Sequence, residues 1–223
     1  HDVTTPPTLT SEGSATHKNG GTVSLPALDY KNYTLDMRLD QKKILFVHNE
    51  TSINIEVPFD GTVPFRIKDL TVAYSEEDAC YTFTAGSDNV TIGRILTSKS
   101  VVFDGTGKLN IKGNVTVKDM TVKKDARIEM AGGISVDNLL VERGSTLDVT
   151  IKGDDAIRIE STDGSARLYG NVSLKSTVAN QGTGIRLWGG ARTIFCGESR
   201  VSARNFFVAV ARFEGNIEKG YLY

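Results

Sequence analysis

From Val90 onward, apolar residues alternate with polar ones in short runs broken by Gly, Asn and Asp, which is the pattern of half-buried strands joined by tight corners. The runs keep a fixed spacing. Leu109, Ile111, Val115, Val117, Met120 and Val122 map nineteen positions on to Ile128, Met130, Ile134, Val136, Leu139 and Val141, and Gly113 maps on to Gly132. One step back lie Ile92, Leu96, Val101 and Phe103. Steps forward reach Leu147 and Val149, then Ala166 and Leu168, then Ile185 and Leu187. The repeated triplet Gly-Asn-Val, at Gly113 and again at Gly170, is three steps apart on the same ruler. Between Thr150 and Ser165 the spacing blurs.

A unit of two or three short strands cannot bury its own inward face, but stacked units can, each column of Val, Ile and Leu packing on the one below. The expected fold is all-β: a parallel β-helix of about nineteen residues per coil. About seven layers would fit from Val90 to Ile217, a rod of about 30 Å at the strand spacing. A β-sandwich or barrel with accidental periodicity is the alternative. Residues 26–89 hold strand candidates such as KILFVH and SINIEV that ignore the ruler, and are expected to form an irregular β region or N-terminal cap. Residues 1–25, rich in Thr, Ser, Gly and Pro, are expected to be a linker or arm, and the final YLY an apolar tail over the last coil of the 90–223 helix.

Composition narrows the function classes. In 223 residues, 26 Lys and Arg face 27 Asp and Glu, so the net charge of -1 provides no global field for nucleic acid, and none is expected as a partner. No run approaches the length of a transmembrane helix. Cys80 and Cys196 form one bridge or stay as two buried thiols, and His1, His17 and His48 have no ligand spacing. No nucleophile elbow, phosphate loop or zinc-protease motif is present. Asn-x-Ser/Thr sequons occur at Asn32, Asn49, Asn89, Asn114 and Asn171.

If the ruler holds to the end, the outward neighbours of its inward positions form two columns. One is Asn110, Glu129, Asp148, Arg167 and Arg186; the other ends in Tyr169, Trp188 and Phe207. Rings at regular spacing on a flat surface suit the CH-rich faces of sugars, and Arg167 and Arg186 beside them suit hydroxyls or uronate carboxylates. An ordinary stacked ladder under a loop is the plainer reading. A second candidate is KGDDAIRIESTDG, where Asp154, Asp155, Asp163 and Glu160 offer oxygen ligands to a hard cation, so the only cofactor under consideration is Ca²⁺. Aspartates in corners are also plain turn formers.

The segment from KGDDAIRIE to GTGIRLWGGARTIFCGESRVSA resembles coils of bacterial secreted or surface parallel β-helix proteins of the carbohydrate-binding, pectate-lyase-like type, many of them non-catalytic, and also those of surface adhesins. The resemblance covers residues 100–205 and implies a secreted or cell-surface, non-catalytic module that binds polysaccharide or a cell-surface glycan, acidic glycans included. Ala156 stands where the repeat style has glycine, and the calcium carboxylates do not match one by one. A polysaccharide lyase or glycoside hydrolase is the enzymatic alternative and has less support, with no catalytic residue assigned. A purely structural surface protein is the third reading.

Overall fold

A computed structural model describes residues 32–87, 91–195 and 199–210, together with the backbone of short strands at 8–9, 14–16, 22–24 and 221–222. The strands wind into a parallel β-solenoid with three faces, five turns and the start of a sixth. On the first face Thr91–Leu96 is followed upward by Lys108–Ile111, Arg127–Met130, Thr146–Ile151, Asn171–Ser176 and Arg200–Arg204. The second face begins on the latter half of Thr91–Leu96 and continues with Val115–Thr116, Ile134–Val136, Ile157–Ile159, Thr183–Leu187 and Val208–Val210. The third stacks Ser100–Asp104, Asp119–Val122, Asn138–Val141, Ser165–Leu168 and Arg192–Phe195.

The central inward columns of two faces are aliphatic: Ile111, Met130, Val149 and Leu174 on the first face, Val115, Ile134, Ile157 and Ile185 on the second, all almost fully buried. Burial of each such side chain contributes about 1.5–3 kcal/mol, so the stacked columns dominate the stability of the rod. The corner glycines explain the Gly113 to Gly132 match. A Cβ on Gly132 would lie 2.2 Å from the carbonyl of Gly113, and one on Gly113 2.3 Å from that of Gly93. Successive corners therefore stack backbone on backbone, with the Asn114 side-chain oxygen accepting the Gly133 N–H at 2.9 Å.

The nineteen-residue period holds only for the early turns. Ile111, Met130 and Val149 follow at nineteen, but the next rung places Leu174 twenty-five residues after Val149, and Ala203 twenty-nine after Leu174. Longer turns explain why five and a part fit where seven were expected. They also reassign the later columns: Leu147 is followed by Val172, while Ala166 stacks on Leu139 and Ile185 on Ile157. The two Gly-Asn-Val triplets are thus not equivalent, since Val115 lies on the second face and Val172 on the first.

The lower end is closed by antiparallel sheet. Tyr33–Arg38, Lys43–His48 and Asn54–Pro58 form one meander, joined in parallel to Thr91–Leu96. Phe65–Ile67, Leu70–Ser75 and Cys80–Ala85 form another, joined in parallel to Ser100–Asp104. This cap is packed with rings where the rod is packed with aliphatics: Phe46, Phe59 and Phe65 meet edge-on at 6.2 Å, and Phe83 contacts Phe103 at 5.4 Å. Within the segment expected to be a linker, Thr8–Leu9, Ser14–Thr16 and Thr22–Ser24 pair as short strands, the first also with Glu56. At the other end Tyr221–Leu222 pairs with Arg200 and Val201 of the last turn. No described helix is long and apolar enough to cross a membrane.

Candidate functional site

The early corners between the first and second faces are three residues long, 112–114 and 131–133. In turns four and five they lengthen to 152–156 and 177–182, and the corners from the second face to the third become 160–164 and 188–191. The added residues leave the inner columns intact and build a border on either side of the second face. They stack on one another: a Cβ on Gly182 would meet the Asp154 backbone, and one on Gly189 the Thr162 side chain.

Between these borders Arg158 and Arg186 occupy neighbouring rungs. Asp155, buried at the corner, joins them. Arg158 donates Nε–H to Asp155 Oδ2 at 2.9 Å and Nη2–H to Asp154 Oδ1 at 3.0 Å; Arg186 donates Nη1–H to Asp155 Oδ2 at 3.3 Å. The second Asp155 oxygen accepts the Thr183 backbone N–H at 2.8 Å. Burial alone would raise the Asp155 pKa, but the hydrogen bonds from Arg158, Thr183 and Arg186 outweigh it and hold the carboxyl below its ordinary value. Beyond Arg186 lies Trp188, with the guanidinium carbon 4.6 Å from the ring centre and the indole 36% exposed. Phe207, 75% exposed, follows on the next turn, its N–H bonded to the Gly182 carbonyl at 3.2 Å.

The structure therefore regroups the sequence candidates. Arg186, Trp188 and Phe207 share the second face, but Trp188 and Phe207 sit at opposite borders of it rather than one above the other. Arg167 is paired with Leu140 and Ile194 on the third face, and Tyr169 continues that face above Glu142. The expected ring column of Tyr169, Trp188 and Phe207 does not form. Its physical reason is the longer turns: a count of nineteen past Val149 lands on a different face.

The four carboxylates are also separated. Asp154 and Asp155 lie at one border of the second face; Glu160, below Trp188, and Asp163 lie at the other. Asp155 already faces two guanidinium groups, an arrangement that repels a cation, so the residues do not fit the calcium site. Among the described residues no group of three His, Cys, Asp or Glu is arranged to hold a metal ion. Cys80 is a free, half-buried thiol whose pKa is raised by burial, then by Asp78 and Asp119; Cys196 lies outside the described residues.

Sequence reasoning missed Arg158. The signal was there, since Ala156-Ile157-Arg158-Ile159 and Gly184-Ile185-Arg186-Leu187 share small, Ile, Arg, aliphatic. A spacing of twenty-eight hid the match from a ruler of nineteen. No family model matches the chain, and neither does any curated protein or solved structure.

Proposed function

We propose that this chain is a non-catalytic polysaccharide-binding or adhesion module that acts outside the cell, with the second face of turns four and five as its glycan-contacting surface. The observation that carries the reading is the Arg158–Arg186–Trp188 cluster: one exposed indole beside two guanidinium groups whose orientation is set by a shared buried carboxylate. The exposed part of the indole ring packs on the CH face of a pyranose, while pre-oriented N–H donors bind hydroxyls or a uronate carboxylate with little loss of side-chain entropy. Among the described residues Arg186, its side chain 50% exposed, makes its single hydrogen bond through Nη1 and leaves the other donors of its fork without a protein partner.

The hydrolase or lyase alternative has less support: Asp154 and Asp155, adjacent carboxylates, are both hydrogen-bonded to Arg158. Screening the intact chain on a broad glycan array tests the proposal. Retention of a glycan that Trp188→Ala abolishes, at unchanged melting temperature, is the expected result; no retained glycan on the whole array would defeat it. Release of unsaturated or reducing-end products from pectin or alginate would replace it with the enzymatic reading.

A further inference from the structure

The first face of turns five and six carries cations that have no counter-charge among the described residues. Outward along Asn171–Ser176 stand Asn171, Ser173 and Lys175, and outward along Arg200–Arg204 stand Arg200, Ser202 and Arg204. The register places Lys175 beside Arg204, Ser173 beside Ser202 and Asn171 beside Arg200. In a parallel ladder neighbouring backbones are about 4.8 Å apart, and like charges directly opposite one another are destabilising. Lys175, Arg200 and Arg204 are all exposed, and among the described residues none of them forms an ion pair. Elsewhere on the same face such pairing is present: Lys108 reaches Glu129 at 3.3 Å one rung up. The rod can compensate stacked charges, yet on these two rungs no described residue does so.

We propose that this surface docks sulfate esters of an anionic polysaccharide, an inference that rests on the reading of the chain as a polysaccharide-binding module but uses a different face. The site offers a stacked cation pair, Lys175 and Arg204, then two serine hydroxyls, then Arg200, on a flat strip of strand. Tetrahedral sulfate oxygens accept from an ammonium, a guanidinium and a hydroxyl at once. A sulfate projects from its sugar ring far enough to reach a flat face without the ring packing on it. A ring-borne carboxylate lies closer to the ring and would require a stacking partner, which Ser173 and Ser202 do not provide. The same lack of rings disfavours single-stranded nucleic acid, whose bases need stacking platforms. Asp148, directly below Ser173 in the ladder, sets the lower limit of the cationic strip.

Dextran sulfate, uncharged dextran, polygalacturonate and a single-stranded oligonucleotide, compared as ligands of the full chain, provide the test. Dextran sulfate is expected to bind with steep salt dependence. The double variant Lys175→Gln with Arg204→Gln should lose about tenfold or more in affinity, and Arg200→Gln a smaller part. In a Trp188→Ala background the loss caused by the double variant should persist, so a failed second-face reading and a failed first-face proposal give different patterns. The proposal is overturned if dextran sulfate does not bind, if the double variant binds it as well as wild type, or if the double variant loses affinity for polygalacturonate or the oligonucleotide by the same factor.

Discussion

Turns two and three and turns four and five are built on the same inner columns, yet only the later pair carries the arginine–tryptophan cluster. In the early turns a three-residue corner such as Ala131-Gly132-Gly133 brings backbones into direct contact and leaves no room for side-chain chemistry. In the later turns the corners grow to 152–156 and 177–182 while Val149 still stacks on Leu174 and Ile157 on Ile185. The difference teaches that a solenoid accepts added residues at its corners at small cost, because loop closure entropy grows slowly with length. Rungs supply stability; widened corners supply the places where charged and aromatic groups converge.

That division can be broken or sharpened by substitution. Leu147→Ala, in an inner column, should cost the most, about 2–5 kcal/mol by urea denaturation. Gly132→Ala forces a methyl into the backbone of Gly113 and should cost about 3 kcal/mol. The matching change in a wide corner, Gly153→Ala, meets only the end of the Gln181 side chain and should cost about 1 kcal/mol, mainly from its positive φ of 71°. Equal losses at Gly132 and Gly153 would erase the distinction between the two kinds of corner.

Asp155→Asn should destabilise the chain by about 2 kcal/mol at pH 7, since it weakens hydrogen bonds to two charged groups. The folded pKa of Asp155 lies below its ordinary value of 3.8, so its contribution is present above that pH and is lost as pH falls through the folded value. The gap between wild type and variant in melting temperature should close in acid. Asp148→Asn should do the reverse on a smaller scale. Partial burial, then Glu129, push the Asp148 pKa up, partly offset by Lys108, although its side chain reaches solvent. Its stabilising contribution is present below the ordinary value and is lost as pH rises through the folded one. The variant should therefore gain under about 1 kcal/mol at neutral pH and nothing at pH 3.

Much of the fold was legible in the residue pattern. Leu109, Ile128 and Leu147 do stack, as do Met120 and Leu139, because inward positions in superposed rungs need aliphatic side chains at one spacing. The later columns were not legible, because alternation of period two is the same on all three faces. Counting alone cannot tell a rung from a residue added at a corner, so Ala166 and Ile185 were placed on the face of Leu147. The candidate site suffered the same error: Trp188 and Arg186 do lie side by side, but the ruler passes over Arg158 and joins to them Tyr169 and Arg167, which lie on another face. The pairing of Asp155 with Arg158 is local, but its pairing with Arg186 joins the 152–156 corner to a strand one turn up, which no local motif reveals.

The change of turn length after Val149 is tested most directly by cysteine cross-linking in a Cys80→Ser, Cys196→Ser background. Superposed rungs with a twenty-five-residue step put Asp148 beside Ser173, so Asp148→Cys with Ser173→Cys should form a disulfide on mild oxidation, and Asp148→Cys with Arg167→Cys should not. Cross-linking of the second pair and not the first would restore the nineteen-residue ruler and dissolve the Arg158–Arg186–Trp188 surface.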